Sequence, residues 1–203
     1  MTIKAGSEFQ KILMLAYYRN TLTHAFLPEA FVGCTIAAFG EQLYSNEGVS
    51  LQRIHEQTQF LMALLKESYF LEYSLESYDD FMRVVLEMQD NLVLRVREDG
   101  KVVVNNTNHN GVGSRMIAFY ISLMRPEIEC YWACLVYIIS LSRNHEGRYE
   151  GSSLDKFYDT IQWYMESLYD EKIIEDYEAC SLETIKNAFE KYQKQRLVRL
   201  VAG

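Results

Sequence analysis

Proline is nearly absent from this chain, and its scarcity limits how often the backbone is forced to turn. Only two prolines, Pro28 and Pro126, occur among 203 residues, and there are ten glycines. Between these breaks, apolar residues recur at intervals of three and four, the spacing of one face of an α-helix. The spacing therefore predicts a mainly α fold, a helical bundle-like domain.

Several helices have recognisable starts. Ser77 with Asp80 and Ser152 with Asp155 have the spacing of a capping box, and a third periodic run begins after Ser50. Each start is followed by apolar residues that would line one helical face. These are Leu51, Ile54, Leu61, Leu64 and Leu65; Phe81, Val84, Val85 and Met88; and Leu154, Phe157, Ile161, Tyr164, Met165 and Leu168.

A further helix is expected to begin at Pro126. Proline suits the first turn of a helix, because its missing N–H would have no partner there. This helix is expected to contain the apolar residues Ile128, Trp132, Leu135 and Ile139.

One segment, Asn91 to Asn106, predicts a β-hairpin instead. β-Branched residues stand on both sides of Asp99-Gly100, a dipeptide favoured in tight hairpin turns. Residues 92–96 are expected to pair antiparallel with residues 102–106 and to cover the helix at 77–90. The residues predicted to face that helix are Leu92, Leu94 and Val103.

The composition supports one domain with a sizeable core. Hydrophobic residues make up 49% of the chain and aromatic residues 13%. We expect a single helical domain over residues 9–203, while residues 1–8 form the start of the chain and include part of a "GSEF" sequence typical of a cloning remnant.

The charge balance argues against polyanionic partners. Twenty Lys and Arg face 28 Asp and Glu, so the net charge is −8. Phosphate backbones and anionic lipid surfaces would be repelled, and no nucleic-acid partner is predicted. The longest apolar runs are about half the length needed to cross a bilayer, so no membrane span is predicted.

The cysteines indicate a reducing, intracellular environment. Cys34, Cys130, Cys134 and Cys180 form no CxxC pair, and no signal peptide precedes them. Cys130 and Cys134 would share a helix face, as two metal ligands do. Because no further ligands stand at the required spacing, buried thiols are favoured and no metal site is predicted.

Two histidine–carboxylate pairs are the candidates for general-base chemistry. His24 precedes Glu29, and His145 precedes Glu150, each by five residues. With four histidines and many acidic residues, such pairs arise by chance, so structural histidines are favoured. The "GVGS" at residues 111–114 lacks the lysine of a phosphate-binding loop. No catalytic residue is assigned.

The helices at 51–66 and 77–90, followed by the hairpin, could also form a winged helix. The helix that would read DNA contains Asp79, Asp80 and Glu87 against Arg83 alone, which disfavours nucleic acid. A wing used for protein contact is compatible with these charges. An independent all-helical protein-interaction module is therefore the alternative function.

The segment "LAYYRNTLTHAFLPEAFV" resembles the start of the C-terminal region of glycerol-3-phosphate and dihydroxyacetone-phosphate acyltransferases. "FLMALLKESYFLEYS", the hairpin, "RPEIECYWACLVYI" and "SLETIKNAFEKYQKQRLV" resemble later parts of that region in order and spacing. The positions that match the opening motif are Tyr17, Tyr18, Arg19, Asn20, His24, Phe26 and Pro28.

The catalytic blocks of the family are missing from this sequence. The resemblance implies an upstream His-x4-Asp motif and a Phe-Pro-Glu-Gly-Thr block. His24 and Glu29 imitate the first only loosely, and residues 27–30 imitate the second within the same few positions. Two separate blocks cannot overlap, so the chain is expected to be an accessory domain without its catalytic domain, inactive alone.

The resemblance also implies a reaction and a partner. Family enzymes transfer an acyl group from acyl-CoA to the first hydroxyl of a three-carbon phosphate in phospholipid and triacylglycerol synthesis, with no further cofactor. The expected partner is the catalytic domain, braced by apolar residues 11–40. Membranes (mitochondrial outer membrane, endoplasmic reticulum or peroxisome) are expected only through the full-length enzyme. We expect Arg19 and Asn20 to be buried polar anchors, with Arg19 paired, and burial of Leu13, Ala16, Tyr17 and Phe26.

Overall fold

The computed structural model describes residues 14, 17–19, 22–43, 47–65, 75, 77–105, 111–144 and 153–199. The fold is mainly helical with a small antiparallel sheet, which confirms the predicted class. The elements in chain order are α1 (Leu27–Ala38), β1 (Val49–Ser50), α2 (Leu51–Leu65), α3 (Tyr78–Asp90), β2 (Leu94–Val96), β3 (Lys101–Val104), α4 (Val112–Asn144), α5 (Leu154–Asp170) and α6 (Leu182–Lys194). Short 3₁₀ helices cover Gly40–Leu43 and Tyr177–Cys180.

The chain divides into two compact units. The first comprises Met1–Ala63 and Leu71–Met124, and the second comprises Leu64–Phe70 and Arg125–Gly203. The boundary within α4 lies next to Pro126, where the missing N–H leaves one intrahelical hydrogen bond unmade. The single domain over residues 9–203 stays a prediction.

The core of the first unit forms where α1 and β2 pack against α3. Phe31 of α1 and Phe81 of α3 are completely buried. The apolar face predicted for α3 is confirmed, because Phe81, Val84, Val85 and Met88 are all buried. Burial of this stripe rather than intrinsic helix propensity provides most of the stability of such a helix.

The two predicted capping boxes have different outcomes. Ser77 caps α3, and its hydroxyl accepts a hydrogen bond of 3.0 Å from the Asp80 N–H. The capping box predicted at Ser152 and Asp155 was wrong. α5 begins at Leu154, its N-cap is Ser153, and no side chain makes a cap hydrogen bond. Ser152 lies outside the described residues, and Leu154, predicted to be buried, is exposed.

This pair of serines provides a matched test of capping. Ser77→Ala is expected to lower the free energy of unfolding by about 1 kcal/mol, because the Asp80 N–H loses its acceptor. Ser153→Ala removes no cap bond and should leave stability nearly unchanged. Urea denaturation of both variants measures the difference, and equal losses would show that the Ser77 bond contributes nothing.

The hairpin is confirmed, and its register is the predicted one, in which residues 92–96 run opposite residues 102–106. Leu94 lies opposite Val104, and Val96 opposite Val102. Gly100 alone of the Asp99-Gly100 pair has a positive φ, of 73°, and its N–H donates to the Arg97 carbonyl. The Arg97 N–H also donates to the Lys101 carbonyl, so the loop contains three residues, 98–100.

The face of the hairpin that covers α3 differs from the predicted one, because Val103 pairs with Arg95 and not with Leu94. Leu94, Val102 and Val104 are buried, whereas Leu92 is exposed and Val103 only half-buried. Placing Leu92 and Val103 on the covering face was therefore wrong. Asn106, at the predicted end of the second strand, lies outside the described residues.

A third strand completes the sheet. β1 pairs antiparallel with the free side of β3, so the strand order is β1-β3-β2. Together with α1, α2 and α3, this order is the arrangement of a winged helix: a helix, a strand, two helices and a two-stranded wing. The sequence suggested the wing but not β1, since a two-residue strand has no usable periodicity.

The second unit joins α5 and α6 to the C-terminal half of α4. The Tyr192 hydroxyl of α6 donates a 2.6 Å hydrogen bond to the Tyr131 carbonyl of α4. The Glu129 carboxylate of α4 accepts from the backbone N–H groups of Glu175 and Asp176. The predicted face of α5 is largely confirmed by the burial of Phe157, Ile161, Met165 and Leu168.

The position of Pro126 was predicted wrongly. It lies inside α4, which begins at Val112, rather than in a first turn. Of the apolar residues expected in this helix, Trp132 and Ile139 are exposed. The buried residues there are Cys130, Tyr131, Ala133 and Cys134.

In the described part of the chain, no helix is both long enough and apolar enough to cross a membrane.

Candidate docking surface

An exposed row of large apolar side chains precedes α1. Residues 14, 17–19 and 22–25 are helical, and Met14, Tyr18 and Leu22 are four positions apart, which is the spacing of one helical face. Met14 is 52% exposed, Tyr17 67%, Tyr18 56% and Leu22 44%. We call these four residues the N-terminal apolar stripe.

The opposite side of this segment is anchored to α4. Thr23 is buried, and its Oγ1 lies 2.9 Å from the Arg19 carbonyl and 3.5 Å from the Leu123 carbonyl. The Phe26 ring meets the Phe119 ring edge to face at 5.6 Å. The stripe is therefore presented by a helix whose inner side is already packed.

Close backbone approach fixes α1 beside the same part of α4. A Cβ added at Gly33 would lie 2.9 Å from the Cβ of Tyr120, so only glycine fits without displacement. The Cys34 thiol lies 3.9 Å from the Tyr120 carbonyl. Small residues on α1 thus let the two helices pack tightly and hold the preceding segment in place.

The structure places the predicted family-motif residues in different environments. Tyr17 was predicted to be buried, and this was wrong; Tyr18 and His24 are also exposed. Arg19, Phe26 and Pro28 are half-buried, so the burial predicted for Arg19 and Phe26 is only partial. Leu13, Ala16 and Asn20 lie outside the described residues. The pairing of Arg19 stays a prediction.

The burial of Tyr17 was predicted wrongly because apolar character alone does not distinguish a core residue from an interface residue. The helical spacing of the segment was visible in the sequence. Which side α4 would cover was not, since that depends on contacts with Leu123 and Phe119, about 100 residues further along.

His24 and Glu29 belong to different helical segments. The first segment ends at Phe26, whose φ of −119° and ψ of 17° are not helical, and Pro28 lies in the first turn of α1. Among the described residues, no hydrogen bond joins His24 to a carboxylate. His145 and Glu150 lie outside the described residues.

Glu29 lies instead in the packing between helices. Burial raises the pKa of its carboxyl group, and the nearby Glu87 raises it further, while the Glu29 backbone N–H lowers it. Burial, together with the charge of Glu29, raises the pKa of Tyr120 to about 12. This environment stabilises the protonated forms of both groups but places neither beside His24.

All four cysteines are buried free thiols, as predicted. Burial raises the pKa of Cys34 to about 12, and burial with nearby carboxylates raises that of Cys180 to about 11. A hydrogen bond with Cys134, together with burial, raises the pKa of Cys130. Neutral thiols are poor nucleophiles and poor metal ligands. In the described part of the chain, no cluster of three or more His, Cys, Asp or Glu could hold a metal ion.

The fold and the stripe define a mainly helical domain whose candidate functional feature is an exposed surface. The family model for the C-terminal region of glycerol-3-phosphate acyltransferase matches residues 4–200. The chain therefore belongs to that family, as the opening motif predicted. A search of curated proteins gave no match.

Proposed function

We propose that this chain is an accessory domain of a glycerol-3-phosphate acyltransferase and packs against the catalytic domain through the N-terminal apolar stripe. Membership of the C-terminal family supports the acyltransferase context. The observation that carries the docking role is the exposure of four large apolar side chains on a segment that is anchored from behind.

The composition of this region suits a stable interface. Residues 11–40 contain only Lys11, Arg19 and Glu29 as charged side chains. Interface cores are depleted of charge and enriched in tyrosine and methionine, the residue types found in the stripe. Tyrosine also offers a large apolar area with a hydroxyl group that tolerates water before docking.

In the proposed enzyme, the catalytic domain transfers the acyl group from acyl-CoA to glycerol 3-phosphate or dihydroxyacetone phosphate. The accessory domain supports that domain without supplying a cofactor or a catalytic side chain. Phospholipid and triacylglycerol synthesis would be the pathway served. Attachment to a mitochondrial, endoplasmic-reticulum or peroxisomal membrane would come through the full-length enzyme.

Binding to the catalytic region in trans tests the docking role. The chain is titrated by calorimetry into the purified catalytic region of a glycerol-3-phosphate acyltransferase. Replacing Tyr17 and Leu22 together by serine should weaken binding at least about tenfold, because central interface side chains each contribute a kcal/mol or more. The matched control is Trp163→Ser, which removes a 69% exposed aromatic side chain elsewhere.

The control should bind with unchanged affinity, and both variants should melt at the temperature of the parent chain. Equal binding by the stripe variant and the parent would refute docking through the stripe. If Trp163→Ser lost binding and the stripe variant did not, the interface would lie on α5.

A further inference from the structure

In the winged-helix arrangement, α3 occupies the position of the helix that such modules use for contact. α3 is the second helix of the α2–α3 pair and is followed by the β2–β3 wing. In helix-turn-helix proteins this second helix meets the partner.

The inner face of α3 is fixed, so its outer face is presented rigidly. The buried stripe from Phe81 to Met88 packs inward. The Gln89 side-chain oxygen accepts a 2.9 Å hydrogen bond from the Val96 N–H and so ties the helix to the wing.

The outer face is acidic. Asp79, Glu87 and Asp90 are exposed, and the exposed Arg83 is paired with Asp80 at 3.0 Å. Such a face repels phosphate, which excludes the DNA-reading use of the arrangement.

Two leucines, one on this helix and one just beyond its C-terminal end, are exposed. Leu86 is 49% exposed on α3, and Leu92, just beyond the helix end, is 60% exposed. Leu92 has a φ of 58°, a left-handed conformation that is unfavourable for leucine and that glycine adopts freely. An exposed leucine at this position lowers the stability of the free chain. Such a local cost is typical of a residue that contacts a partner.

We propose that the outer face of α3 and Leu92 bind a basic amphipathic helix of a partner protein. The two leucines would meet its apolar side, and the surrounding carboxylates would pair with its Lys and Arg. Apolar contact supplies affinity in such helix-on-face binding, while the complementary charge selects the partner and speeds association. This surface is distinct from the N-terminal apolar stripe.

A designed peptide tests the proposal directly. A fluorescein-labelled helix of about 18 residues, with leucine on one face and lysine on the other, is titrated with the chain and followed by anisotropy. The same peptide with glutamate in place of lysine should not bind. Leu92→Gly should weaken binding at least about fivefold while raising the thermal stability, and Leu86→Ser should weaken binding similarly.

Matched controls separate this surface from general acidity. Lys172 ends α5 with the same left-handed conformation, at a φ of 59°, so Lys172→Gly should stabilise the chain without changing peptide binding. Removing three carboxylates from α3 should reduce binding and its salt dependence, whereas removing three elsewhere should not. The two triple variants are Asp79→Asn with Glu87→Gln and Asp90→Asn, and Asp159→Asn with Glu183→Gln and Glu190→Gln.

Three results would overturn the proposal. One is equal binding by the parent chain, Leu86→Ser and Leu92→Gly. Another is an equal loss of binding in both triple variants, which would indicate non-specific attraction to the net charge. The third is tighter binding to a DNA duplex than to the lysine peptide.

Discussion

Gly113→Ala is expected to lower the free energy of unfolding by about 3 kcal/mol or more, which is a large share of the stability of a domain. A Cβ added at Gly113 would lie 2.7 Å from the Asn105 carbonyl oxygen and closer still to the Val93 carbonyl oxygen. Both neighbours are backbone atoms, so no side chain can turn aside.

The two backbone segments that face Gly113 are joined to each other by a hydrogen bond. The Asn105 N–H donates to the Val93 carbonyl at 3.0 Å, at the point where the strands of the wing meet the start of α4. Making room for a methyl group would break this bond or displace the helix. The "GVGS" segment therefore serves close packing, which the sequence did not reveal when it excluded a phosphate loop.

Gly40→Ala is the matched control, because a Cβ there meets nothing within 4 Å. Its φ of 55° still costs about 1 kcal/mol for alanine. Guanidinium denaturation of the two variants compares a steric clash with conformational strain alone. Equal losses would mean that the chain around Gly113 relaxes, contrary to this prediction.

The second large effect concerns activity, which we expect to be absent from the isolated chain. General-base catalysis contributes about 10² to 10⁴ in rate and needs a base within hydrogen-bond reach of the acceptor hydroxyl. His24 is exposed on a segment that ends at Phe26, and Glu29 lies beside Tyr120 in helix packing. These residues do not form an oriented histidine–carboxylate pair.

Transfer of a radiolabelled acyl group from acyl-CoA to glycerol 3-phosphate and to dihydroxyacetone phosphate measures this directly. Product should form no faster than without protein, and His24→Ala should change nothing. An intact glycerol-3-phosphate acyltransferase serves as the positive control. Robust turnover that His24→Ala abolishes would make His24 a catalytic base and contradict the accessory role.

Local signals in the sequence were reliable where the chemistry lies within a few residues. The Ser77 cap and the buried stripe of α3 were predicted because a side chain reaches its own backbone and the helical repeat fixes the face. The hairpin and its register were predicted for the same reason. Its covering face was not, because Val103 lies opposite Arg95 and faces away from the buried Leu94, Val102 and Val104.

The sequence by itself determined the helical class, the hairpin and the family, because periodicity, turn residues and an ordered set of motifs are properties of the chain. Tertiary structure alone decided which sides of α4 and of the segment before α1 are covered. Trp132 is exposed and Ala133 buried in the same helix, while Tyr17 is exposed on a segment anchored by Thr23. The hydrophobic effect has no direction, so an apolar side chain is buried only where a neighbouring element is placed to cover it.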